Sequence, residues 1–142
     1  MPENQMPPAQ TPPPTQPASA PGSNESQART WNMLCHLSAL AGFIIPFGNI
    51  LGPLLVWQIK KNEIPSVEAH GKAALNFQIT VTIVIIIGLV AATILSFIGI
   101  GFLLYPLVML IALAGLVLAI IAGIKANDGK DYKYPFSFNL IK

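Results

Sequence analysis

Residues 73–124 read AALNFQITVTIVIIIGLVAATILSFIGIGFLLYPLVMLIALAGLVLAIIAGI, without one charged side chain. A helix that crosses the hydrocarbon core of a bilayer needs about 20 apolar residues, so this stretch is long enough for two. Ser96-Phe97-Ile98-Gly99-Ile100-Gly101 supplies the break between them, and Pro106 falls early in the second, where a missing N–H costs little. The reading predicts a third helix over about Pro65–Phe97 and a fourth over about Phe102–Asn127, antiparallel because only a short turn joins them.

Upstream, Thr30 to Ile59 is a second charge-free run, long for one span and short for two. Its centre, Ile45-Pro46-Phe47-Gly48-Asn49, is turn chemistry rather than helix interior. A helical hairpin follows, with arms at roughly Trp31–Ile45 and Ile50–Lys61. Each arm is about 18–22 Å long at 1.5 Å per residue, shorter than a bilayer core. The polar link KKNEIPSVEAHGK (60–72) joins hairpin to third helix. The fold class expected is an all-α integral membrane bundle, a short hairpin plus two long antiparallel transmembrane helices.

Composition agrees: 53% of the residues are hydrophobic and 10% charged, against about 25% charged in soluble domains. Residues 1–28 stand apart. They are rich in Pro, Gln, Ser and Thr and offer too little apolar surface to offset ordering entropy, so they are expected to form a disordered, partly polyproline II tail. The opening Met1-Pro2-Glu3-Asn4-Gln5 lacks the basic start and apolar stretch of a secretory signal, so internal segments are expected to direct insertion. Residues 29–127 form the membrane domain. Residues 128–142 place Tyr132, Tyr134, Phe136, Phe138 and Leu140 between lysines, the pattern of an interfacial anchor.

Small residues recur every four positions on both long helices: Gly88, Ala92 and Ser96 on the third, Gly115, Ala119 and Gly123 on the fourth. Such spacing lets helices approach closely in lipid; the rival use of these glycines is a homodimer face. Ile83, Ile86, Ile87, Leu113, Leu116 and Ile120 are expected to meet acyl chains. A hairpin puts all eight basic residues on one side, whereas one kinked span would strand Arg29 opposite the rest. By the positive-inside rule the central link and C-terminus face the cytoplasm of a bacterial inner membrane.

Few residues could carry chemistry. His36, Asn49, His70, Asn76 and Gln78 form a candidate intramembrane polar cluster, since polar groups at membrane depth are costly unless paired. Its plainer use is interhelical hydrogen bonding that fixes the hairpin against the third helix, worth near 1 kcal/mol per bond. Two histidines, with Cys35 and Glu68 nearby, show no metal-ligand spacing, and no metal or cofactor is expected. Cys35, the sole cysteine, can form no internal disulfide, and a nucleophilic pair with His36 is disfavoured because helix neighbours point apart. No phosphate loop, GxSxG elbow or HExxH motif occurs. A net charge of +2 without a basic cluster argues against nucleic acid.

The stretches TWNMLCHLSAL (30–40), PFGNILGPLLVWQIKK (46–61), HGKAALNFQI (70–79) and IKANDGKDYKYPF (124–136) together resemble a family of small bacterial multi-pass membrane proteins, a domain of unknown function. That domain is described as similar to the twenty-kilodalton subunit of the chloroplast inner-envelope protein-import machinery. The resemblance implies a compact helical membrane domain and little about activity. The resulting expectation is a non-enzymatic subunit or accessory of a membrane complex, with lipid, further copies of itself or another membrane protein as partners. The alternative is an oligomeric channel or translocation component; an enzyme using His36 and His70 is the least supported.

Overall fold

The computed structural model describes residues 22–142, and the greater part of the 1–28 tail lies outside them. Four α-helices and no strand occur among the described residues: α1 (Ser23–Leu37), α2 (Gly48–Lys60), α3 (Pro65–Ser96) and α4 (Leu104–Asn127). Short 3₁₀ turns, Ser38–Phe43 and Ile100–Leu103, end α1 and lead into α4.

The first helix starts ahead of its expected position, inside the segment assigned to the tail. Beyond Pro21 nothing breaks a helix, Glu25 in the first turn suits the helix dipole, and Glu25 pairs with Arg29 one turn later. At its other end α1 stops at Leu37, short of Ile45, and the chain tightens into 3₁₀ geometry.

The chain then reverses. The Ile45 N–H donates to the Ala41 carbonyl at 2.9 Å, and Phe47 adopts a left-handed φ of 60° at the entry to α2. Gly48 and Gly52 lie directly against the Ala41 and Ser38 carbonyls, where any Cβ would collide with backbone. The arms return to the same end: the Lys60 ammonium sits 4.8 Å from the Trp31 ring centroid. Residues 31–59 are therefore a hairpin and not one kinked span.

α3 begins with Pro65 in its first turn and runs without interruption to Ser96. Its two halves have different surroundings. Ala74 through Gln78 are buried in succession, enclosed by α1, α2, α4 and the C-terminal segment. Beyond Thr82 the helix packs on α4 and on the 3₁₀ turn before it and is otherwise bare, with Ile87 64% and Ile94 62% exposed. Of the most apolar windows of α3 and α4, only 11% and 28% are buried. A soluble core helix hides such a surface; these two are long and apolar enough to cross a membrane and present it outward.

α3 and α4 are antiparallel, turned by Gly99 at φ 82°. Gly88 faces Val108, and Gly115 faces Val81. The small-residue stripe of α4 is divided, however. Gly123 faces Leu37 and Met33 of α1, not α3. Leu116, expected in lipid, is only partly exposed.

Candidate functional site

α1 turns its polar side inward. Asn32, Cys35 and His36, three and four positions apart, are all buried against the start of α3. Asn32 and Ser66 exchange hydrogen bonds of 3.0 and 3.1 Å, and the Cys35 sulfur rests 4.0 Å from the Val67 carbonyl.

One turn deeper the two histidines meet. His36 Nε2 lies 3.1 Å from His70 Nδ1, with the rings edge to face. His36 Nδ1 lies 2.8 Å from the Tyr134 hydroxyl, and the Tyr134 ring stacks on Phe77 at 3.9 Å between centroids. His70 Nε2 faces the exposed Asp131 carboxylate at 3.4 Å. An ionised carboxylate only accepts, which sets one direction for the whole chain. With the His70 proton on Nε2, toward the carboxylate, His36 donates from Nε2 to His70 Nδ1, and the Tyr134 hydroxyl donates to His36 Nδ1. Each ring then has one donor and one acceptor nitrogen, as neutral imidazole requires. Burial, with Tyr132 and Cys35 nearby adding to it, raises the Tyr134 phenol well above its usual value.

The remaining candidates do not join this chain. Asn76 grips the C-terminal segment: its Oδ1 accepts from the Leu140 and Ile141 N–H groups at 3.0 and 2.7 Å, and its Nδ2 donates to the Ile141 carbonyl at 3.0 Å. Thr80 adds a 3.1 Å bond from the Phe138 N–H. Asn49, in the hairpin turn, donates to Gln78 Oε1 at 3.2 Å and Thr82 Oγ1 at 2.9 Å. The expected single cluster is three separate ties: hairpin turn to α3, α1 to α3, and C-terminal segment to α3.

The sequence reading missed Tyr134, Asp131, Thr80, Thr82, Asn32 and Ser66 as members of these ties. The aromatic alternation after Lys130 was the available signal for Tyr134, and the structure changes its meaning. Phe138 and Leu140 do point outward, 64% and 55% exposed. Tyr134 instead turns into the protein, and the backbone of 138–141 is held on α3. The segment is a strap across the bundle before it is an anchor.

Among the described residues no three His, Cys, Asp or Glu side chains converge as metal ligands do. What the arrangement performs chemically is hydrogen-bonded cross-linking of α1, α3 and the strap.

The sequence model of the magnetosome magnetite crystal formation protein family matches residues 27–141. The chain belongs to that family. The magnetosome family match runs from within α1 to the strap, so every tie described above lies inside it. No curated protein and no solved structure matches the chain significantly. The expected resemblance to a family of small membrane proteins therefore holds only in part, with two corrections. The family carries a description of its own, magnetite crystal formation, in place of unknown function, and that description makes no link to chloroplast protein import.

Proposed function

We propose that the protein is a non-enzymatic, multi-pass constituent of the magnetosome membrane that serves magnetite crystal formation as a subunit or accessory of a membrane complex. The observation that carries this reading is the family match over 27–141. The bare apolar flanks of α3 and α4 support placement in a bilayer.

All charged groups of the described residues collect at one end of the bundle. Gly129, just after α4, lies against the Arg29 guanidinium of α1, Lys60 covers Trp31, and Asp131 meets His70. The opposite end, the turn Phe97–Leu103, carries none. By the positive-inside rule the charged end faces the cytoplasm, with both Arg29 and the strap there.

The channel reading has less to support it. Past Thr82, the polar side chains of α3 and α4 up to Ile124 are Thr93, Ser96 and Tyr105. Thr93 and Ser96 bond back to the Leu89 and Ala92 carbonyls, and Tyr105 lies 3.3 Å from Thr93. They leave no polar row with which neighbouring copies could line a pore.

The test is removal of the protein from a magnetite-forming host, with complementation by the full chain carrying a fluorescent tag. Crystals should change in size or shape on removal and recover on complementation, and the tag should follow the magnetosomes. Unchanged crystals, with the tag spread evenly over the cell membrane, would overturn the proposal.

A further inference from the structure

A cavity of about 350 Å³ lies between the hairpin turn and the facing sides of α3 and α4. That volume is at the lower end of the range for small-molecule sites, about 300–1,000 Å³. Its rim is formed by Phe43, Phe47 and Ile86, themselves 76%, 61% and 48% exposed, so it opens where the bundle meets lipid. Its inner end reaches the buried Ala39 and Ala119.

The polar tie of the hairpin turn lies in the wall. Asn49 Nδ2 satisfies Gln78 Oε1 and Thr82 Oγ1, but Gln78 Nε2 and the Thr82 hydroxyl proton have no acceptor among the described residues. Gln78 is 6% exposed. Among the described residues the only side-chain nitrogen or oxygen sealed without a partner is Trp57 Nε1, so the Gln78 amide is open to the cavity and not walled in by packing. A donor at membrane depth is costly unless something accepts from it. Among the described residues no charged side chain lines the cavity, so a phosphate or carboxylate head would find no counter-charge from them.

The geometry points to a binding site for a neutral, carbonyl-headed lipid, entering head first from the bilayer, with its carbonyl oxygen accepting from Gln78 Nε2 and Thr82. An isoprenoid quinone and a diacylglycerol share this chemistry: a neutral head with carbonyl acceptors on an apolar tail. The tail would leave between Phe43, Phe47 and Ile86 into the acyl chains. The inference does not depend on a role in crystal formation.

The test uses the full chain in detergent with Phe47→Trp as a fluorescent reporter at the rim, read as the difference from the chain that keeps Phe47 and so carries only Trp31 and Trp57. Decylubiquinone, which quenches indole, is titrated; dioctanoylglycerol and dodecane are added as competitors. Saturable quenching is expected, displaced by dioctanoylglycerol but not by dodecane at equal concentration. Gln78→Leu and Ala39→Leu should each weaken quinone binding about tenfold or more, the first by removing a hydrogen bond in an apolar site, the second by filling the inner end. Circular dichroism checks that each variant is folded. An inhibition constant for dioctanoylglycerol far below the dissociation constant of decylubiquinone would assign the site to diacylglycerol; the converse assigns it to quinone. Non-saturable quenching, or displacement by dodecane as effective as by either carbonyl lipid, would overturn the proposal. That comparison needs only the reporter protein and the chain that keeps Phe47, so it stands even if the cavity variants fail to fold.

Discussion

Tyr134 shows most clearly what one residue does here. Its ring stacks on Phe77 and its hydroxyl ends the chain through His36 and His70. Tyr134→Phe keeps the stack and leaves His36 Nδ1 without its donor, so stability should fall by about 1–2 kcal/mol, read from thermal unfolding in micelles. His36→Phe should also destabilise, and the double variant should lose less than the two combined, because both remove the same bond. A fully additive result would show that the bond contributes nothing. The phenol also sets a pH dependence. It holds its proton more tightly folded than unfolded, so the stabilisation is whole below the ordinary tyrosine value of about 10 and is lost as pH rises through the higher folded value. Alkaline absorbance titration of the folded protein should therefore give the same curve for wild type and Tyr134→Phe up to about pH 11. A loss of amplitude in the variant over that range would mean that Tyr134 is open to solvent.

Among elements, the small-residue faces of α4 divide their work. Gly115 meets Val81 on α3, whereas Gly123 meets Leu37 on α1. Leu at either position overfills a close contact and should cost roughly 1–3 kcal/mol, but the consequences should separate. Gly123→Leu pushes on α1 and should make Cys35, now fully buried, react faster with a thiol reagent. Gly115→Leu should leave that rate near wild type. Equal effects of both on Cys35 would mean that the bundle yields as one body. On α3, Ala92 is fully buried where Gly101 of the 3₁₀ turn crosses it, so Ala92→Leu should displace the α3–α4 turn. The strap is an element too. Asn76→Leu removes three of its bonds, and proteolysis after Lys133 should then proceed on otherwise folded protein.

For the whole molecule, the testable property is one-sidedness. Single cysteines at Ser26, Asn62 and Asn139, in a Cys35→Ala background, lie in exposed positions on α1, the central link and the strap. All three should resist an impermeant thiol reagent in intact cells and react once the cells are opened. Labelling of position 26 alone in intact cells would contradict a hairpin in the membrane. A cysteine at Ile98, in the uncharged turn at the other end, should show a different pattern from the first three. The same asymmetry constrains any role in crystal formation. The charged groups of the described residues lie at the end proposed to face the cytoplasm, so contact with partners is expected there.

Much of this was legible without coordinates. A run of fifty-two uncharged residues (73–124) admits few solutions in water, because the hydrophobic effect and the need to satisfy every backbone group both demand helices in lipid. Pro46, Gly48 and Asn49 mark the reversal for equally local reasons. Local chemistry also contained the early start of α1, in Glu25 and Arg29, although the reading passed over it. The pairing of polar side chains was a different matter. His36, His70 and Tyr134 are distant in sequence, and periodicity says which face of a helix each occupies but not which faces meet. Gly123 has the same four-residue spacing as Gly115, yet only the crossing of α1 over α4 assigns it a different neighbour. Likewise the aromatic alternation near the C-terminus describes an anchor and a strap equally well. Asn76 and Thr80 decide between them by bonding the backbone of 138–141, a choice made by tertiary contact because backbone donors carry no signature in the sequence.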